Sequence, residues 1–143
     1  MKKTGILNSK IVALIGRMGH GNRILICDAG FPHADYPDSE LIDLAVIANL
    51  PAFHDVFDAI FDELVVEKVI VPAGMCEVNR SLYELLCSYF KKEGDPDPYS
   101  PEEIFIMEND LFKGVEMKSV KTIIRTGECT PFGNAILVCG TSY

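Results

Sequence analysis

The chain has 143 residues, of which 48% are hydrophobic and 24% are charged, a composition typical of one folded globular domain. Its formal net charge of −8 makes nucleic acid and anionic membrane surfaces unfavourable partners. No apolar run approaches the ~20 residues of a membrane span, and no apolar segment follows the basic N-terminus, as a secretory signal requires.

Helical and strand-like patterns alternate along the chain. Apolar residues three and four apart indicate helices, and short runs of apolar residues indicate strands. The predicted elements are a helix capped by Asn8 and Ser9 and ended by Gly19, a strand Ile24–Cys27, a strand Leu41–Ile47, a helix with Pro51 in its first turn, a strand Val65–Val71, a helix Val78–Phe90, a strand Ile104–Met107, a helix Asp110–Val120, and strands Thr122–Arg125 and Ala135–Cys139. The segment 41–47 also fits a helix, and we favour a strand because a clear helix follows so soon.

This alternation predicts an α/β fold, a three-layer Rossmann-like domain in which helices cover both faces of a mostly parallel sheet. Ligands of such sheets bind at the carboxyl ends of the strands. The most loop-like stretch, Lys91–Pro101, is short for a domain linker, and too little chain follows it for a second domain. Residues 1–143 are therefore predicted to form a single domain.

The five cysteines are odd in number and contain no C-x-x-C pair. Cys27, Cys87 and Cys139 lie in apolar segments, where we expect buried, reduced thiols of a cytoplasmic protein. No histidine or cysteine pair has the spacing of metal ligands, so no metal site is predicted.

Two polar segments beside predicted strands are candidates for chemistry. His20 lies between two glycines before the strand Ile24–Cys27, and Asp28 follows that strand. A histidine can give and take protons at cellular pH, and an aspartate can hold a hydroxyl group. The competing interpretation of His20 is a loop residue that only satisfies a turn. His33, in the proline-containing loop that follows, is a weaker candidate to flank the same site.

The second candidate segment runs from Arg125 to Asn134. Phe132 can stack on the apolar face of a sugar, and Asn134 can hydrogen-bond to neighbouring hydroxyls. The competing interpretation is a hairpin turn whose asparagine bonds to its own backbone. His54 falls in the first turn of the phenylalanine-rich helix and is expected to be a surface residue.

These segments resemble the D-ribose pyranase / L-fucose mutarotase family over nearly the whole chain. The resemblance is carried by four blocks, Gly5-Ile6-Leu7-Asn8, Arg17-Met18-Gly19-His20-Gly21-Asn22, Cys27-Asp28-Ala29-Gly30-Phe31-Pro32 and Ile124-Arg125-Thr126-Gly127-Glu128-Cys129-Thr130-Pro131-Phe132-Gly133-Asn134. The second and third blocks together with the fourth are specific in combination and in order, whereas each alone is weak.

The resemblance implies a single α/β domain in a ring-like homo-decamer, with sites at subunit contacts. It implies cofactor-free interconversion of the ring forms of a monosaccharide, in support of sugar uptake. By the same resemblance His20 is the catalytic residue, Asp28 binds the sugar, and Phe132, Gly133 and Asn134 form the binding tripeptide.

Two positions depart from the family's pattern. Phe132 stands where the family usually has tyrosine, so the phenolic hydroxyl is missing. Counting back from Phe112, Asn109 stands where the family has histidine or arginine, and we carry it over as a substrate-binding position. The block around His20 favours the fucose branch and the block around Asp28 favours the ribose branch, so the sugar stays open.

We therefore expect an isomerase in which His20 gives a proton to the ring oxygen of the sugar. Asp28 and Asn134 would hold hydroxyl groups, and Phe132 would pack on the ring. One alternative is a non-catalytic monosaccharide-binding protein of sugar uptake. Another is a structural protein whose assembly is itself the function.

Overall fold

A six-stranded sheet forms the centre of the computed structural model, which describes residues 1–143. The strands are, in chain order, β1 (Arg23–Cys27), β2 (Glu40–Asp43), β3 (Val66–Pro72), β4 (Ile104–Met107), β5 (Val120–Arg125) and β6 (Ala135–Cys139). They lie side by side in the order β2-β5-β1-β6-β3-β4. All neighbours are parallel except β6, which is antiparallel to both β1 and β3. The predicted α/β fold with a mostly parallel sheet is confirmed.

The helices cover both faces of this sheet. They are α1 (Ser9–Arg17), α2 (Phe53–Phe61), α3 (Ala73–Val78), α4 (Arg80–Phe90) and α5 (Asn109–Gly114), with short 3₁₀ turns at His33–Asp35 and Glu116–Ser119. Alternate side chains of β1 point to opposite faces. Ile24 and Ile26 share one buried cluster with residues of α1, α2 and α4, whereas Leu25 shares the other with Phe112 of α5. None of the helices has the length and hydropathy needed to cross a membrane.

The first helix begins as predicted and ends earlier. The Asn8 side chain accepts hydrogen bonds from the backbone N–H groups of Lys10 and Ile11, at 3.0 and 3.2 Å. The helix ends at Arg17, and the predicted cap at Gly19 is wrong. Gly19 belongs to the next turn instead, because its N–H donates to the side chain of Asn22.

Three further elements in the first half differ from the prediction. The strand predicted for Leu41–Ile47 covers only Glu40–Asp43, because the carboxylate of Asp43 accepts the N–H of Ala45 and turns the chain. The predicted first-turn position of Pro51 is also wrong, since α2 begins at Phe53. The strand predicted from Val65 begins one residue later and ends one residue later, at Pro72.

Two predicted helices are shorter than expected. The helix predicted for Val78–Phe90 is divided, because Asn79 leaves helical geometry and donates its side-chain amide to the carbonyl of Pro131. The six-residue helix α3 before it was not predicted. The helix predicted for Asp110–Val120 ends at Gly114, and a 3₁₀ turn leads into β5. Glycine and a following β-branched valine are poor helix formers, which accounts for this early end.

The predicted burial of three cysteines is confirmed. Cys27, Cys87 and Cys139 are buried and unpaired, and Cys76 and Cys129 are also free thiols. Burial raises the pKa of the Cys27 thiol far above its ordinary value, and the neighbouring Asp28 raises it further. Cys27, Cys87 and Cys139 are therefore core side chains in this fold.

One glycine fixes how the segment after β5 packs on the segment before α2. A Cβ atom at Gly127 would lie 2.6 Å from the carbonyl oxygens of Ile47 and Leu50 and from the backbone nitrogen of Leu50. The N–H of Gly127 also donates to the carbonyl of Pro51 at 2.8 Å. Backbone atoms on both sides of this contact cannot rotate away as a flexible side chain would.

We predict that Gly127→Ala lowers the free energy of unfolding by about 1–3 kcal/mol, because overpacking forces the backbone apart. Urea unfolding followed by circular dichroism measures this change. Gly114→Ala is the matched control, since a Cβ atom there meets nothing within 4 Å. Equal stability of the two variants would contradict the packing described for Gly127.

Candidate active site

An open cleft of about 480 Å³ lies at the carboxyl ends of β1, β3, β4 and β5, a volume in the range of small-molecule sites. Its walls come from the segments that follow these strands, and the residues with side-chain chemistry are Asp28, Asn109, Lys113, Glu128, Cys129, Thr130, Phe132 and Asn134. We expected ligands to bind at the carboxyl ends of the strands, and the cleft lies there.

The centre of the cleft is a pair of reciprocal hydrogen bonds between Asp28 and Asn134. The Asn134 amide nitrogen donates to the Asp28 carboxylate at 3.0 Å, and the Asp28 backbone N–H donates to the Asn134 carbonyl oxygen at 3.2 Å. Both residues are buried. The hairpin alternative for Asn134 is wrong, because β5 and β6 lie on opposite sides of β1 and the asparagine bonds to Asp28.

Burial raises the pKa of Asp28 above its ordinary value, although hydrogen bonds from Asn134 and from the N–H groups of Gly30, Gly133 and Phe31 act to lower it. Because the folded pKa is raised, the stabilising contribution of Asp28 is complete at low pH and is lost as the pH rises through that pKa. Once it is ionised, the Asp28 carboxylate therefore lowers the stability of the fold. Such a cost is typical of a group kept for function.

The segment after β5 holds the segment after β1 in place. Arg125 donates from Nε to the carbonyl of Ala29 at 3.0 Å and forms an ion pair with Asp43. The buried hydroxyl of Thr126 donates to the carbonyl of Cys27 at 2.8 Å. These two residues of the fourth sequence block therefore position Asp28 without lining the cleft.

Glu128 links the cleft to the start of α2. Its carboxylate accepts the N–H of Thr130 at 2.9 Å and the N–H of Phe53, the first residue of α2, at 3.4 Å. Burial acts to raise the pKa of Glu128, but the hydrogen bonds from Thr130, Phe53 and Cys129 outweigh it, so the pKa lies below its ordinary value. Glu128 thus presents an ionised carboxylate that is held by its own loop and by the start of α2.

Phe132 provides the aromatic wall of the cleft. Its backbone has a φ of +61°, a left-handed conformation that costs a residue with a side chain about 1–2 kcal/mol. The ring lies so close to Gly74 that a Cβ atom there would be 2.5 Å from it. Gly133 does not line the cleft, and a Cβ atom there would be 3.0 Å from Glu128 and 3.4 Å from Asp28.

Asn109 and Lys113 of α5 also line the cleft. The carbonyl oxygen of the Asn109 side chain accepts the N–H of Gly74 at 3.1 Å, which leaves its amide nitrogen as the available donor. Lys113 makes no ion pair with any carboxylate of the chain. Sequence reasoning missed Lys113, although its position four residues after Asn109 places both on one face of α5.

His20 does not line this cleft. It precedes β1, whereas Asp28 follows it, so the five residues of the strand separate them by roughly 16 Å. At the amino-terminal end of β1, His20 Nε2 lies 3.0 Å from a carboxylate oxygen of Glu67. Within one chain, the predicted catalytic residue and the predicted binding residues therefore lie at opposite ends of the sheet.

The other two histidines also lie outside the cleft. His33 Nδ1 lies 3.3 Å from the carbonyl oxygen of Phe31, and His54 is exposed beside Asp55. No three side chains of histidine, cysteine, aspartate or glutamate are grouped as metal ligands.

We predict that Asn134→Ala raises the pKa of Asp28 further. The hydrogen bond from Asn134 stabilises the ionised carboxylate, and the variant removes this bond. A ¹³C NMR titration of the Asp28 carboxyl group measures this change. Asn79→Ala is the matched control, since this buried asparagine donates to the carbonyl of Pro131 and not to Asp28. A lowered or unchanged pKa in Asn134→Ala would contradict the pair geometry.

Comparison with known proteins identifies the family of the chain. The profile of the RbsD / FucU transport protein family matches residues 1–142. The chain is 38% identical to D-ribose pyranase of Bacillus subtilis and 34% identical to D-ribose pyranase of Kosmotoga olearia, with the full length of both chains covered in each case. The structure of Bacillus subtilis RbsD complexed with D-ribose superposes with a TM-score of 0.84 at 36% identity, again over both full chains. The chain belongs to the RbsD / FucU family.

Proposed function

We propose that this chain is a cofactor-free isomerase that interconverts the anomers, or the pyranose and furanose forms, of a free monosaccharide of the ribose or fucose type. The observation that carries the proposal is the buried Asp28–Asn134 pair in a cleft with an aromatic wall. Full-length relatives named D-ribose pyranase support the same reaction.

The charges of the cleft favour an uncharged sugar. Asp28 and Glu128 contribute two carboxylates, and Lys113 contributes the only ammonium group. Carboxylates accept hydrogen bonds from sugar hydroxyls, whereas they repel the phosphate group of a sugar phosphate. Phe132 offers an apolar surface for the face of a sugar ring.

Ring opening requires one proton to reach the ring oxygen and one to leave the anomeric hydroxyl. In our proposal His20 gives the first proton, and Asp28, Asn109 and Asn134 hold hydroxyl groups. Rotation about the C1–C2 bond and closure then give the other anomer, while attack by a different hydroxyl changes the ring size. General acid catalysis of this type contributes about 10²–10⁴-fold to a rate.

His20 would reach the sugar from a second copy of the chain, since it lies far from the cleft of its own chain. The resemblance implies sites at subunit contacts of a homo-decamer, and large exposed apolar side chains support assembly. They lie on the loop before α2, on the edge strand β4 and on or just after α5, and are Val46, Ile47, Leu50, Phe105, Ile106, Leu111 and Val115. We also propose one domain over residues 1–143 and a cytoplasmic location, for which reduced buried cysteines are typical.

A non-catalytic sugar-binding protein is the second candidate. Two observations favour it. Phe132 offers no hydroxyl for a proton relay, and Asn109 is neutral and has its carbonyl oxygen occupied by the N–H of Gly74. Binding and orientation of a sugar would survive both features, whereas proton transfer through either position would not.

Exchange NMR on D-ribose, L-fucose and other aldoses tests the reaction. We predict that the protein accelerates exchange of one sugar and that His20→Ala removes about 10²–10⁴-fold of this acceleration. His54→Ala is the matched control, because His54 is exposed and outside the cleft. Saturable binding without faster exchange would favour the binding protein, and unchanged exchange in His20→Ala would remove the role of His20.

Mixed assemblies test whether two copies share a site. We predict that His20→Ala and Asn134→Ala are each inactive alone and that co-expressed assemblies of the two regain activity, because some sites then combine an intact cleft with an intact histidine. Assemblies of His20→Ala with wild-type chains calibrate the expected fraction of intact sites. No recovery in mixed assemblies of confirmed composition would contradict a shared site.

A further inference from the structure

The segments that follow β3 and β4 leave the sheet side by side. Parallel pairing places Pro72 next to Met107 at the last position of both strands. Gly74 in the first turn of α3 and Asn109 at the start of α5 come soon after, and the Gly74 N–H donates to Asn109 Oδ1 at 3.1 Å. An N–H in the first turn of a helix has no partner within that helix, so this bond satisfies it. One contact therefore joins α3 to α5 beside the cleft.

This bond also decides which way the Asn109 amide faces. A backbone N–H only donates, so the side-chain atom of Asn109 that faces Gly74 is its carbonyl oxygen. The amide nitrogen Nδ2 then remains available to a ligand, because Asn109 lines the cleft. Gly74 is buried and does not line the cleft itself. Gly74 therefore acts on a ligand only through the side chains that it contacts.

The ring of Phe132 occupies the space that a side chain at position 74 would take. A Cβ atom on Gly74 would lie 2.5 Å from two carbons of that ring and 2.7 Å from a third. The backbone around Phe132 is held on both sides, because its carbonyl accepts the N–H of Asn134 at 2.9 Å and the carbonyl of Pro131 accepts the side-chain amide of Asn79. A side chain at position 74 would therefore turn the ring out of its place and leave the segment that carries it where it is.

We infer that Gly74 is a positioning residue for sugar binding, which sets Asn109 and Phe132 as one subsite with an amide donor beside an aromatic face. The inference rests on the proposed function and specifies part of its sugar recognition. The subsite suits a neutral sugar whose C–H face packs on Phe132 and whose oxygen accepts a hydrogen bond from Asn109 Nδ2. Neither side chain ionises, so the subsite contributes to affinity and not to proton transfer.

Kinetics of Gly74→Ala on the sugar that the wild-type protein exchanges test this role. We expect KM to rise about three- to tenfold, the range for loss of one neutral hydrogen bond. We expect kcat to stay within about twofold, because the lost contact serves the ground state and the transition state alike. Alanine is the better helix former, so the change does not weaken α3 itself. Gly114→Ala is the matched control, since a Cβ atom at that position in α5 meets nothing within 4 Å.

A double-mutant cycle with Phe132→Ala separates this role from a purely structural one. In the Phe132→Ala protein no ring is left for a Cβ atom at position 74 to meet. We therefore expect Gly74→Ala to change KM by less than about twofold in that background. A general defect in the folding of α3 would instead raise KM by the same factor in both backgrounds.

Asn109→Asp tests the other half of the subsite. This variant keeps the size of the side chain and an oxygen that accepts the Gly74 N–H, but it replaces the donor Nδ2 by a carboxylate oxygen. We expect KM to rise about three- to tenfold, because a sugar oxygen then faces an acceptor in place of a donor. Asp110→Asn is the matched control, since it makes the reverse change at the next residue of α5, which is exposed.

Wild-type KM in Gly74→Ala or in Asn109→Asp, a Gly74→Ala defect confined to kcat, or an equal change of KM in both backgrounds would overturn the inference and leave the proposed function standing. If Gly74→Ala does not fold, the measurement on Asn109→Asp decides alone. If the wild-type protein binds a sugar without exchanging it, the proposed function fails, and dissociation constants of the same variants test the inference in place of KM. A wild-type protein that binds no sugar would overturn both.

Discussion

Strand β6 runs antiparallel between β1 and β3, and both the binding cleft and the turn that carries His20 depend on that position. Directly before its first residue, Asn134 reaches Asp28 at the carboxyl end of β1. At its end, Cys139 and Gly140 anchor the His20 turn and leave room for Glu67 of β3. The cleft thus lies at one end of β6, and the turn that carries His20 lies at the other end. Because of this separation, the proposed shared site requires two copies of the chain.

Residues of the cleft divide into those that face a ligand and those that hold them. Arg125 and Thr126 bond to backbone carbonyls on either side of Asp28, and their role is to place that carboxylate. Glu128 does both, since it lines the cleft and also accepts the N–H at the start of α2. The backbone of Phe132 has a positive φ, which fits the tendency of strained residues to cluster at functional sites.

Local sequence patterns predicted much of the fold. They did not predict the features that depend on contacts between residues far apart in the sequence. The apolar run ending at Cys27 gave the central strand, because a strand buried on both faces needs such a run. The break at Asn79 could not be predicted, since it depends on a carbonyl 52 positions away. The resemblance grouped Asp28 with Asn134 but gave no bond between them. It named His20 and gave no sign of Glu67, because no periodicity connects residues on different strands.

The most direct test of the central claim is an experimental structure of the assembled protein with D-ribose bound. We predict that the sugar lies in the cleft, with hydroxyl groups on Asp28 and Asn134 and the ring oxygen about 2.6–3.2 Å from an imidazole nitrogen of His20 of a second copy. A sugar bound in the cleft with no histidine of any copy within reach would contradict the shared site. A sugar bound away from Asp28 and Asn134 would contradict the cleft itself.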